Sequence, residues 1–245
     1  MSVRATAATA LRVLTQLRRD PRTVVLLLLV PALLVTLLRY VFHGQQETFD
    51  HLGGPLIGLF PFITMFLVTS ITMLRERTGG TLERLMSMPV GKLDLLAGYG
   101  VAFAVVAAAQ ALITAGVAFL SLDFDVGGSV AAVVALAIGN AVLGMSLGLF
   151  ISAFASTEFQ AVQFLPAFVF PQLLLCGLFV DRAQMAGALE AVSDALPLTY
   201  AFDALDRVST GGDLGGRGWL DVFVIVGVTL LALGLGALTL RRRTA

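Results

Sequence analysis

The chain has 245 residues, of which 58% are hydrophobic and only 13% charged, and its sixteen basic residues are balanced by sixteen acidic ones. Soluble domains run at about 45–50% apolar and about 25% charged, so this chain has too little polar surface to cover a water-exposed globule. A mean hydropathy of +0.92 points the same way, to an integral membrane protein. A single cysteine, Cys176, excludes an intrachain disulfide and a cysteine-based metal site. The two histidines, His43 and His51, share one short polar loop, where solvated side chains are the default reading and a metal pair the sharper alternative.

Residues 1–21 are too often interrupted by arginine to span a bilayer. Ala7, Ala10, Leu11, Leu14 and Leu17 fall on one helical face, with Arg4, Arg12, Gln16 and Arg19 opposite, the pattern of an amphipathic helix lying in the membrane interface. Asp20-Pro21 then turns the chain, because the residue before proline resists the α conformation. A span needs about 20 mainly apolar residues to cross about 30 Å of hydrocarbon. Six stretches qualify within one all-α membrane domain: Thr23–Phe42, Pro55–Leu74, Leu95–Leu120, Gly128–Ala155, Phe159–Val180 and Leu220–Leu240. The first has no small-x-small cleavage pattern after it and is read as a retained span rather than a signal peptide.

The arginines set the orientation. With the N-terminus inside, twelve of the sixteen basic residues face the cytoplasm, and eleven of the sixteen acidic ones face out. Both termini are then cytoplasmic.

Between the second and third spans lies the cytoplasmic segment 75–94. Gly79 and Gly80 end the span and free the backbone to turn. Thr81 then suits an N-cap, and Glu83 in the first turn suits the helix dipole. Leu82, Leu85 and Met86 form an apolar strip with Glu76, Glu83 and Arg84 around it, and Pro89, after Met88, stops the helix. So short a helix is unstable alone in water and must dock, either on the membrane surface or on a protein. On the outer side, residues 181–219 read as a helical cap dipping toward the membrane: Met185, Leu189, Val192 and Leu196 recur at helical spacing, and Trp219 suits the interface.

Catalytic motifs are missing. The sole Gly-Lys pair, Gly91-Lys92, is followed by Leu93 and lacks the glycine that opens a phosphate-binding loop, so the chain does not hydrolyse ATP by itself. The span interiors read as free of ionisable residues, with Arg39, Asp94 and Glu158 near the interfaces, which argues against ion-coupled transport. Neutral polar residues such as Thr64, Thr69, Gln110, Asn140, Gln163 and Gln172 suit helix–helix hydrogen bonds, or the lining of a path for an amphipathic solute. Aromatic residues gather in two spans, Phe60, Phe62 and Phe66 in the second and Phe164, Phe168 and Phe170 in the fifth. Pro61, Pro166 and Pro171 accompany them, and prolines bend helices.

These features together resemble the permease subunits of the ABC-2 type family of ABC transporters, most closely the daunorubicin/doxorubicin-resistance branch. The resemblance rests on Arg18-Arg19-Asp20-Pro21-Arg22, on Arg75-Glu76-Arg77 with Gly80-Thr81-Leu82-Glu83-Arg84-Leu85 and Pro89-Val90, on Thr157-Glu158-Phe159-Gln160, on Cys176-Gly177-Leu178-Phe179-Val180, and on Leu196-Pro197-Leu198-Thr199-Tyr200-Ala201. It implies a permease of the bacterial plasma membrane with six spans, paired with a second copy or a related permease and embedded among membrane lipids. Two separate ATPase subunits would bind the ATP and Mg, and neither a cofactor in this chain nor nucleic acid is involved. It makes residues 81–88 the coupling helix, with Glu76, Thr81, Leu82, Glu83, Arg84, Leu85, Met86, Met88 and Pro89 at the ATPase. It also makes the second and fifth spans line the passage, with Phe60, Phe62, Phe66, Thr69, Gln163, Phe164, Phe168, Phe170 and Gln172 as candidates. The implied activity is export of hydrophobic or amphipathic compounds. Export of a lipid-linked glycan or envelope lipid is the alternative within the family, and an ATPase-independent channel or secondary transporter the alternative outside it.

The orientation is open to direct measurement. In a Cys176→Ser background, a cysteine at position 50 should react with an impermeant maleimide added outside, and one at position 87 only after permeabilisation; the reverse pattern would invert the topology.

Overall fold

A computed structural model describes residues 2–86 and 91–239, without the side chains of Gln46, Glu47, Asp50, His51, Glu83 and Met86. The described residues form helices and connecting turns with no strand. The chain opens with α1 (Val3–Arg18), whose first turn is capped by the Ser2 hydroxyl. Pro21 then starts α2 (Pro21–Val41), and Asp20 caps it by accepting from the Thr23 amide at 3.2 Å and the Thr23 hydroxyl at 2.6 Å. These two bonds hold the Asp20 carboxyl below the usual aspartate range.

Next come α3 (Gln46–Thr78), the six-residue α4 (Thr81–Met86), α5 (Lys92–Ser121) and α6 (Val130–Ile151). At about 1.5 Å per residue, the 33 residues of α3 exceed the hydrocarbon thickness. Its last turns therefore leave the bilayer, carrying Arg75, Glu76 and Arg77.

A broken helix follows: α7 (Glu158–Phe164), a π turn over Leu165–Val169, and α8 (Phe170–Leu175). Two prolines account for the break. Pro166 has no N–H for the Val162 carbonyl, which accepts from Leu165 instead, and the Phe170 amide reaches back five residues to Leu165. The remaining helices are α9 (Gly187–Ser193), α10 (Pro197–Ser209) and α11 (Gly215–Leu238). Five of these helices are long and apolar enough to cross a membrane: α2, α3 over Leu52–Thr78, α5, α6 and α11. The segment expected as the fifth span, Phe159–Val180, is the broken one.

The most extensive helix pair is α3 with α6. Gly144 and Gly148, one turn apart on α6, lie against the backbone of Phe62 and Phe66 on α3, where a Cβ would collide with carbonyl oxygens. A second glycine pair, Gly54 and Gly58 on α3, receives Ser209 and Leu205 of α10. Eight residues of α10 are buried, including Leu198, Phe202, Leu205 and Val208, so this helix is wedged into the bundle rather than laid over it as a cap. The helix expected over Met185–Leu196 is shorter: it spans Gly187–Ser193, leaves Met185 extended, and exposes Leu189 and Val192.

The helix expected to lie in the interface also packs differently. Thr9, Ala10 and Val13 are the buried residues of α1, and they pack on α5, while Ala7 and Leu11 face outward. Gly98 on α5 admits Thr9. Two contacts outweighed the simple apolar stripe: this close approach and the pairing of Arg12, described below.

One polar contact ties three helices inside the bilayer. Pro31 in α2 offers no N–H to the Leu27 carbonyl four residues earlier. Gln110 of α5 supplies the missing donor at 2.5 Å and also donates to the Thr64 hydroxyl of α3 at 2.7 Å. In lipid, no water can replace that bond. Gln110→Leu should therefore lower the thermal stability of the purified chain by about 1 kcal/mol. In a Pro31→Ala background, where residue 31 regains its N–H, the same substitution should cost less, since only the bond to Thr64 is then lost. Equal effects in the two backgrounds would show that Gln110 does not serve the freed carbonyl.

Candidate functional site

The end of the bundle that carries α1 and α4 holds a network of polar contacts. α3 ends where the Gly79 amide bonds back to the Arg75 carbonyl at 2.8 Å. Gly80, at φ +72°, then reverses the chain in a conformation that favours glycine, and Thr81 begins α4. Leu82 is 4% exposed within the core cluster of Ala10, Val13, Met73, Leu95 and Tyr99, and Leu85 packs against it. The strip expected to meet a partner protein thus turns two of its members, Leu82 and Leu85, into the chain's own core. Arg84 points outward. Met88 and Pro89 lie outside the described residues, as do the side chains of Glu83 and Met86.

Around α4, charged side chains bind α1 to the bundle. Arg12 pairs with Glu76 at 3.6 Å, donates to the Tyr99 hydroxyl, and sits 5.5 Å from the centroid of the Tyr99 ring. The Asp94 carboxylate accepts from the Ser2 amide at 2.9 Å. Arg75 makes a two-pronged contact with Glu158, both bonds at 2.8 Å, linking the end of α3 to the start of α7. That pair is exposed, so its worth lies in geometry rather than in stability. A cavity of about 370 Å³ opens among Gln16, Asp20, Thr72, Glu76, Thr81 and Tyr99. Glu76, an expected coupling residue, is therefore a mostly buried tie between α3 and α1.

The nine residues expected along a passage do not share one surface. Phe62, Phe66 and Thr69 are fully buried, and the Thr69 hydroxyl donates to Met65 and Met145 carbonyls at 2.7 and 3.1 Å, toward α6. Gln172 is 1% exposed and donates to the Phe168 carbonyl at 3.0 Å. Phe60, Phe164 and Phe168 are half-buried, and Phe168 stacks on Phe66 at 6.1 Å with the rings 11° apart. Gln163 and Phe170 face out, in line with Phe159, Val162, Pro166 and Leu174 along one unpartnered side of α7 and α8. Gly144-x-x-x-Gly148 marks a face of α6 that admits a close neighbour, but only the packing shows that the Phe62 and Phe66 side of α3 meets it.

At the opposite end, Arg182 bridges Asp194 at 3.0 Å and Asp203 at 2.5 Å, clamping the turn after α8 to α9 and α10. Burial raises the Asp203 carboxyl above the usual aspartate range, against the pull of Arg182. Arg207 of α10 lies 3.8 Å from Asp221, whose side chain is 2% exposed at the start of α11. Asp221 is thus a buried carboxylate at a helix end, which the reading of the span interiors had passed over. Among the described residues, no three His, Cys, Asp or Glu side chains converge as a metal site.

Comparison with known proteins agrees with this architecture. The chain is 32% identical over 156 residues to the probable multidrug ABC transporter permease YbhR of Escherichia coli (strain K12), covering 62% of this chain and 42% of that one. It is 24% identical over 170 residues to ABC transporter G family member 20 of Dictyostelium discoideum, covering 69% of this chain and 23% of that protein. The chain therefore matches less than half the length of either relative. Residues 4–208 match the ABC-2 type transporter family, and the chain, a multi-pass helical membrane component, belongs to that family.

Proposed function

We propose that this chain is the permease half of an ATP-driven exporter of hydrophobic or amphipathic compounds, working by alternating access. Its place would be the plasma membrane of a bacterium, with both termini in the cytoplasm. Six crossings complete the picture if α7, the π turn and α8 are counted as one span, since residues 158–175 extend about 27 Å at helical rise. ATP and Mg would be bound by two separate ATPase subunits. The drug-resistance branch is the reading favoured by the half-buried and exposed aromatic residues Phe60, Phe168 and Phe170, and the printed name of the Escherichia coli relative, a probable multidrug permease, agrees with it. A groove of about 360 Å³ between α2, α3 and α8, lined by Leu38, Phe42, Leu56, Phe60, Leu173 and Phe179, suits an uncharged cargo better than a charged glycan.

The observation that carries the proposal is the seating of α4. A six-residue helix hung from Gly79 and Gly80 is rooted through Leu82 in the cluster that includes α1, α3 and α5 residues. A push on its outer side would be delivered to three helices at once. In this reading Leu82 and Leu85 are the root, while Thr81, Glu83, Arg84, Met86, Met88 and Pro89 would contact the ATPase. Glu76 couples the movement to α1 through Arg12. The unpartnered side of α7 and α8 would meet a second permease, placing Gln163 and Phe170 at the shared path and Phe60, Phe164 and Phe168 behind them.

Two measurements bear on this. Glu83→Arg, assayed with the partner ATPase in proteoliposomes, should lower transport per ATP hydrolysed several-fold while the melting temperature of the chain stays unchanged; normal coupling would remove α4 from the role. In a Cys176→Ser background, Phe170→Cys should give an oxidative cross-link between two copies, and Leu230→Cys on the lipid-facing side of α11 should not. Failure of the first, or an equal yield for both, would put the dimer contact elsewhere.

A further inference from the structure

On the α1 side of the bundle, a groove of about 260 Å³ runs between α1, α2 and α5, lined by Leu14, Leu17, Leu28, Val105 and Ala109 among other apolar residues. Arg18 is its single charged lining residue. Among the described residues Arg18 has no ion pair, and its side chain is exposed at the last turn of α1. Two observations select an occupant. The lining is apolar with one cation at the rim, which suits a molecule with a greasy tail and an anionic head. The groove also begins beside an arginine-rich helix and descends along the start of the first apolar helix, which places its rim at headgroup depth and its floor in hydrocarbon. The larger groove between α2, α3 and α8 has no charged residue in its lining and selects no head.

We propose that this groove binds one acyl chain of an anionic glycerophospholipid from the leaflet on the α1 side, with its phosphate paired to Arg18. The lipid would brace α1 against α2 and α5, next to the carbonyl of Leu27 that Gln110 holds. The proposal needs the chain to sit in a membrane and is independent of what the chain transports. One arginine at an anionic surface contributes about 1 kcal/mol, or about fivefold in affinity.

Native mass spectrometry of the purified full chain, titrated with phosphatidylglycerol or phosphatidylcholine of identical acyl chains, provides the test. The chain should retain the anionic lipid about fivefold more strongly. Arg18→Gln should abolish that preference, and Arg4→Gln, on the same helix but away from the groove, should leave it intact. Ala109→Phe, which fills the groove, should weaken retention of both lipids, and water-soluble glycerol phosphate should not compete. Equal retention of the two lipids by the native chain would overturn the proposal. So would a preference that survives Arg18→Gln, loss of the preference in Arg4→Gln to the same extent as in Arg18→Gln, unchanged binding in Ala109→Phe, or displacement by glycerol phosphate.

Discussion

The close approach of α3 and α6 is the contact on which the rest of the bundle depends. Two glycines one turn apart, Gly144 and Gly148, let the α6 backbone come against that of α3 at Phe62 and Phe66. In lipid there is little hydrophobic gain from bringing helices together, so close packing and buried hydrogen bonds must supply the association. The Thr69 hydroxyl adds one such bond to the Met145 carbonyl at 3.1 Å. With this pair fixed, α3 offers its second glycine pair to α10, its polar end to α1 and α4, and its aromatic edge to Phe168 in the π turn.

The two ends of the bundle are held in different ways. At the α1 end, ties of long sequence separation converge: Ser2 with Asp94, Arg12 with Glu76 and Tyr99, and Arg75 with Glu158. They fasten an amphipathic helix that could not hold its shape alone, while Leu82 roots the six-residue α4 in the same core. At the other end, Arg182 and Arg207 pin the wedge α10 to the turns around it. Between the ends the polar contacts are few and neutral, with Gln110 the most connected of them. Such an arrangement concentrates charge at the two ends of the bundle and leaves its middle to apolar packing and neutral hydrogen bonds.

Much of this was readable in the order of residues. The long apolar runs, the Asp20-Pro21 turn and the Gly79-Gly80 break are local signals, each set by the chemistry of a few neighbouring residues. The π turn at Leu165–Val169 follows from Pro166 once the missing N–H is counted. The burial of α1 through Thr9, Ala10 and Val13 was not readable, because a helical stripe reports hydrophobicity and says nothing of which neighbour has a glycine, Gly98, to receive it. The same holds for Phe62, Phe66 and Thr69: their composition suits a passage, but the partner face of α6 decides that they are core.

The sequence by itself determined that this chain is a helical membrane protein, where its breaks fall, and that it carries the short helix after the second apolar run. Those properties depend on residues within a turn or two of one another. The tertiary structure decided the direction each helix faces. It turned Leu82 inward, packed α10 against α3, α6 and α11, gave the carbonyl freed by Pro31 to Gln110, and left Arg18 exposed at the rim of an apolar groove. Each of those depends on a contact between residues distant in the chain, which only the packing of the helices in three dimensions brings together.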